Sequence, residues 1–143
     1  MKRQACSLIS LLTLLLVAGS AIAQTIQVRA NVPFNFSVGN KKFPAGAYDV
    51  TTLNSEGKIL LLRARDSSSS MIVASNAADA SKGADKSKLV FNRYRDQYFL
   101  AEIWTQGAKR GRQLPKTSRE KELANEVAAD STQRRVEIVA SLY

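Results

Sequence analysis

"KLVFNRYRDQYFLAEIW", Lys88 to Trp104, sets two runs of strand-forming residues around the polar turn Arg95-Asp96-Gln97. β-Branched and aromatic residues on both sides of a short turn specify a β-hairpin. Strict alternation places Phe99, Ala101 and Ile103 on one face and Tyr98, Leu100, Glu102 and Trp104 on the other. Large apolar groups on both faces predict a hairpin central to its sheet rather than at an edge.

Upstream, Ile26, Val28, Ala30, Val32, Phe34 and Phe36 alternate with polar residues, a strand pattern in which Pro33 marks an edge or a bulge. Gly39-Asn40 is a turn signal, and "FPAGAYDVTTL" (Phe43–Leu53) resumes as a strand that completes a first hairpin. A third strand begins at Ile59 and a fourth at "MIVAS" (Met71–Ser75), with the serine run Ser67 to Ser70 as a solvated turn between them. "NAADASKGADKS" (Asn76–Ser87) is polar, small and without periodicity, and reads as a mobile loop.

Downstream lies "GAKRGRQLPKTSREK", Gly107 to Lys121, with six basic side chains in fifteen positions and Glu120 as its only acid. Gly107 to Leu114 reads as a flexible basic connector. Thr117 and Glu120 form a capping box after Pro115, and Leu123, Ala124, Val127 and Ala128 recur at helical spacing, which predicts a helix ending near Asp130. "RRVEIVASLY" returns as a last strand, with Val136, Ile138 and Ala140 alternating. Six to eight short strands and one late helix predict a mainly β fold: an antiparallel β-sandwich or small β-barrel with one α-helix in the C-terminal half. Pattern does not separate sandwich from barrel.

The first residues bear on location. Lys2-Arg3, an apolar run from Leu8 to Ala18 and the small residues Ala21-Ile22-Ala23 have the order of a secretory signal peptide cleaved after Ala23. The run is shorter than the about 20 apolar residues a spanning helix needs. The reading is a signal peptide over 1–23 and a single β-rich domain over 24–143, periplasmic or secreted, with no transmembrane segment in the mature chain. Cleavage removes Cys6, the only cysteine, so the mature domain depends on its own core.

The chain has 21 basic and 12 acidic residues and a net charge of +9, which becomes +7 once Lys2 and Arg3 are gone. In the cytoplasm that balance would favour nucleic acid. Export argues against it and leaves an anionic envelope polymer, a lipid headgroup or a protein as the partner. Lys109, Arg110, Arg112, Lys116 and Arg119 would supply the charge, and Arg93, Tyr98 and Trp104 of the neighbouring hairpin a stacking surface, with Tyr94 as a third aromatic. Cross-strand packing is the simpler account of those aromatics.

Catalytic equipment is scarce. With no histidine and no mature cysteine, the usual zinc, copper and haem ligand sets and Ser-His or Cys-His catalysis are missing. No catalytic residue, metal ligand or cofactor is assigned. Glu102 is the carboxylate of most interest: buried mid-strand it would have a raised pKa suited to proton transfer. The simpler reading pairs it with a cross-strand arginine such as Arg93. The expected function is therefore non-enzymatic binding through the basic segment. The alternatives are a small barrel holding an apolar ligand, a carboxylate-based enzyme with an internal cavity beside Glu102, or a purely structural envelope protein.

"VPFNFSVGNKKFPAGAYDV", "KLVFNRYRDQYFLAEIW" and "GRQLPKTSREKELA" together resemble a family of small exported acidobacterial proteins of unknown function. The resemblance covers nearly the whole mature chain and implies a Gram-negative envelope address and a single domain, with no known activity. "FPAGAYDV" is also similar to the Pro-Ala-Gly-x-Tyr strand openings of several exported β-sandwich domains. In that motif Pro44 fixes the turn, Gly46 allows close approach or positive φ, and Tyr48 plugs the sheet end.

Overall fold

The computed structural model describes residues 25–128 and 133–143. The signal segment over 1–23 and the helix end expected near Asp130 lie outside the described residues. The chain runs β1 (Gln27–Val32), β2 (Phe36–Val38), β3 (Lys41–Phe43), β4 (Gly46–Thr52), β5 (Ile59–Ala64), β6 (Ser70–Ala74), β7 (Asn76–Asp79), β8 (Lys88–Tyr94), β9 (Gln97–Trp104), β10 (Arg110–Gln113), α1 (Ser118–Ala128) and β11 (Gln133–Leu142). The fold is mainly β, with one helix in the C-terminal half and a curled, half-barrel-like sheet. Strand order is β3-β2-β9-β8-β11-β1-β4-β5-β6.

The β8–β9 hairpin lies inside this order, flanked by β11 and β2, as its two apolar faces require. β1 stops before Pro33, which has no N–H for a ladder, and pairs with β4 rather than with its immediate successor. The small β2–β3 hairpin, turning at Gly39 with φ +56°, is inserted between them. Tyr48 does plug the sheet: it is fully buried and its hydroxyl donates to the Pro44 carbonyl at 2.6 Å. Gly46 has no positive φ, and an added Cβ would make only ordinary contact, 3.4 Å from Asp66 Oδ2, so neither expected role of this glycine is required.

Inside the curl, Phe36, Phe43, Tyr48 and Phe91 meet edge-to-face or stacked with ring centroids 5.0–5.9 Å apart. Val28, Val32, Val50, Leu60, Leu62, Leu89 and Ile103 fill the space around them. Together these side chains make a packed apolar interior, the dominant favourable contribution to folding.

Three expectations are corrected. Asn76–Ser87 is not a loop throughout: its first four residues form β7, which pairs residue for residue with β10, and backbone bonds from Ala80 to Lys109, Ala84 to Ala108 and Gly107 to Ala84 fasten the arch after β7 to the segment before β10. Gly107–Leu114 is not a flexible connector, because it holds β10, which pairs with both β7 and β9. The alternation in β9 also breaks. Val90 faces Glu102 but Phe91 faces Leu100, so Ala101 is a bulge with no partner on β8, and its carbonyl accepts from Leu114 N–H at 2.8 Å. The extra residue swaps the faces: Leu100 and Ile103 both join the interior, whereas Phe99 packs outside with Tyr94, Leu123 and Val127 of the helix layer.

The capping box forms by half. Glu120 N–H donates to Thr117 Oγ1 at 3.1 Å, capping α1 as expected. The Glu120 side chain does not return to the cap. It is buried against the sheet, where its Oε1 accepts from Asn92 Nδ2 at 2.9 Å and from the Tyr94 hydroxyl at 3.2 Å. A polar bond thus pins the helix to β8 beside the apolar contacts of Leu123 and Val127.

Candidate functional site

The outer face of β8, β9 and β11 divides into two halves. The helix covers the half that carries Asn92, Tyr94 and Phe99. The other half, with Lys88, Val90, Glu102, Trp104, Arg135 and Glu137, is left as the floor of an open cleft of about 730 Å³. Its far wall is the β7 strand and the arch after it, rich in alanine, so the wall takes up little room.

Glu102 stands at the centre of that floor. Its Oε2 accepts from Arg135 Nη2 at 2.7 Å and from Trp104 Nε1 at 2.9 Å. The expected partner, Arg93, is at the opposite end of the hairpin, where it sits across from Tyr98. Both donors fall on one oxygen, and Oε1 accepts no hydrogen bond among the described residues. Beside it Lys88 Nζ meets Glu137 Oε1 at 2.7 Å. Asp79, Lys82 and Asp85 complete the charged rim, giving four acids and three bases in all. Trp104 is held flat against the backbone of β10: a Cβ on Gly111 would stand 2.7 Å from its ring. The space beside Glu102 therefore lies outside the curl and open to solvent, while the interior is filled by aromatic and branched side chains.

The structure distributes the sequence-predicted residues rather than gathering them. Arg112 is buried, with Nε donating to Ser75 Oγ at 3.0 Å and Nη2 to the Ser75 carbonyl at 2.8 Å. Arg110 is exposed and paired with Asp79 at 2.9 Å. Lys109 and Lys116 are exposed, Lys116 Nζ lying 5.9 Å from the Tyr94 ring centroid. Arg119 pairs with Glu122 one turn on in the helix at 3.6 Å. Arg93 lies 5.4 Å over the Tyr98 ring, which stacks on Phe34 with centroids 3.9 Å apart. Trp104 is at the other end of β9, and Tyr94 is under the helix, so the three aromatics make no shared stacking platform.

Lys88, Arg135, Glu137 and the alanine-rich arch escaped sequence reasoning. A signal was present, since Lys88, Val90 and Glu137, Arg135 are alternate positions of two strands. Only the register of β8 with β11, Val90 opposite Glu137, brings them together.

Burial and the like charge of Arg110 push the Arg112 pKa down from its usual value, whereas bonding to Asp79 raises that of Arg110. Among the described residues no group of three or more histidine, cysteine, aspartate or glutamate side chains is placed to hold a metal ion. No helix among them is long and apolar enough to cross a membrane. No protein-family model matches this chain, and neither a curated protein nor a solved structure is significantly similar to it.

Proposed function

We propose that this chain is an exported, non-enzymatic binding domain, periplasmic or secreted, that captures a protein partner in the cleft beside Glu102. The resemblance to small exported acidobacterial proteins belongs to the same proposal. The observation that carries it is the half of the outer sheet face left uncovered by the helix, with a cleft of about 730 Å³, within the range of ordinary ligand sites. Balanced charges on its rim favour an occupant bearing both signs, such as an extended polypeptide, over a pure polyanion. Two donors on one oxygen of Glu102 hold that carboxylate as an acceptor, which favours recognition of an N–H group over proton transfer.

Filling the cleft tests the reading. Ala80→Trp on the arch is expected to weaken capture of a partner polypeptide from envelope extract at least about tenfold, a loss of about 1.4 kcal/mol, with unchanged circular dichroism. Equal capture by the filled variant would remove the cleft from the proposal. An anionic polymer held by the exposed lysines instead would give salt-sensitive retention abolished by joint replacement of Lys109, Lys116 and Lys121 with alanine and indifferent to Ala80→Trp.

A further inference from the structure

Arg112 is a buried cation without a counter-ion among the described residues. Only 7 % of its surface is exposed, and among the described residues it meets no carboxylate within ion-pair distance. Its two hydrogen bonds go to Ser75 through Nε and Nη2. Ser75 Oγ in turn donates to the Lys58 carbonyl at 3.1 Å, so the guanidinium is fixed in place beneath the Asn54–Lys58 turn. Nη1 makes no hydrogen bond among the described residues and lies at the wall of a small pocket, 3.8 Å from where a Cβ on Gly57 would be. A guanidinium offers five donors in a rigid fork, and Nη1, which is not sealed from solvent, is left free to donate to an anion entering the pocket.

The pocket in front of Nη1 has a volume of about 280 Å³. Ser55, Thr105 and Arg110 also line it. Arg110 is engaged by Asp79, but both partners are about two-thirds exposed, and such a pair exchanges readily for a stronger anion. Glu56 also lines the pocket, and Lys58, 2.6 Å away in a similarly exposed pair, offsets its charge. Two arginines, a serine and a threonine around one small space are the donor-bearing residues that suit the acceptor-rich surface of a tetrahedral oxyanion.

We propose that the pocket between Arg112, Arg110, Ser55 and Thr105 is a binding site for a phosphate-type oxyanion. Arg112 is the fixed donor, and Arg110 swings from Asp79 to close the site. The pocket is distinct from the cleft beside Glu102 and the proposal does not rest on it, although Asp79, which Arg110 leaves, belongs to the rim of that cleft. The basic segment then acts not as a diffuse patch but as two arginines at alternate positions of one strand, both on the same face.

The test is a titration of the isotope-labelled chain with inorganic phosphate, against sodium chloride at matched ionic strength, monitored by nuclear magnetic resonance. Saturable shifts are expected at Gly57, Thr105 and the Arg112 Nε–H. Ser55→Glu places a carboxylate at the pocket from an exposed turn position and leaves the Ser75 bonds intact, so it is expected to weaken the response at least tenfold. Arg110→Gln weakens it less. Ala80→Trp, which fills only the cleft, leaves it unchanged. Shifts that do not saturate, that chloride reproduces, or that survive Ser55→Glu would overturn the proposal. Cosedimentation with phosphatidylglycerol and phosphatidylcholine vesicles identifies the source of the phosphate. Binding to the former that Ser55→Glu abolishes assigns a lipid headgroup, and binding of inorganic phosphate alone assigns a soluble phosphate ester.

Discussion

Arg112 and Ser75 are joined by two hydrogen bonds, Nε to Oγ at 3.0 Å and Nη2 to the carbonyl at 2.8 Å, at the corner where one extended stretch changes partners. Ser70–Ala74 pairs with β5 and Asn76–Asp79 pairs with β10, so Ser75 is the seam through which the ladder returns towards β9. Replacing Arg112 with Met leaves the buried Ser75 carbonyl without its donor and is expected to cost about 1–3 kcal/mol. Lys109→Met, on the exposed loop before β10, is expected to stay within about 0.5 kcal/mol. Chemical denaturation midpoints of the two variants make the comparison.

Tyr94 gives the fold an alkaline limit. Burial, with the Glu120 carboxylate beside it, pushes its pKa from 10.0 up to about 12. Below pH 10 the phenol is protonated in both states and stability does not depend on it. Between about pH 10 and 12 the native state keeps a proton that the unfolded chain has lost, so stability falls with a slope of up to about 1.4 kcal/mol per pH unit. Thermal unfolding of Tyr94→Phe is expected to show a shallower decline over this window, the raised pKa of Tyr48 accounting for part of what remains.

Gly111 is required by contact and not by conformation. An added Cβ would lie 2.7 Å from the Trp104 ring and 2.8 Å from the Ile103 carbonyl oxygen. Gly111→Ala must therefore displace the indole or the strand, at about 1–3 kcal/mol. Tryptophan fluorescence reports the displacement directly, since the chain has a single tryptophan.

The helix start separates two contributions. Thr117→Ala removes only the cap to Glu120 N–H and is expected to cost about 1 kcal/mol. Glu120→Ala leaves Asn92 Nδ2 and the Tyr94 hydroxyl without their shared buried acceptor, at about 2–3 kcal/mol. Equal losses in the two variants, measured by denaturant unfolding, would contradict this division.

β6 is the exposed end of the strand path, and Ile72 on it is 62 % exposed. The strand carries neither charge nor proline, the usual protections of an edge. Ile72→Lys is expected to change stability by less than about 0.5 kcal/mol while reducing aggregation during refolding, as light scattering would show.

Much of the β architecture was legible because alternation and turn chemistry are local. The central hairpin, the strands from Ile59 and Met71, the Thr117 cap and the last strand are all set by residues within a few positions of one another. β7 and β10 were not legible. Asn-Ala-Ala-Asp and Arg-Gly-Arg-Gln contain no apolar run, and each becomes a strand only because the other supplies its hydrogen bonds. The bulge at Ala101 was hidden for a different reason: with apolar residues on both faces of β9, a one-residue shift leaves the pattern equally plausible.

The basic segment shows where sequence stops. Its composition determined that the chain is cationic there, because charge is a property of residue type alone. Whether a given arginine meets solvent, a carboxylate or the interior depends on register and on strands far away in sequence. Pairing with Ile103 turns Arg112 inward and pairing with Asp79 occupies Arg110, and the same register that places Gln113 opposite Glu102 leaves the cleft outside the curl. Local periodicity determined the strands that carry an apolar face, whereas tertiary pairing alone made β7 and β10 strands and decided which charges are buried, which are spent on each other and which remain exposed.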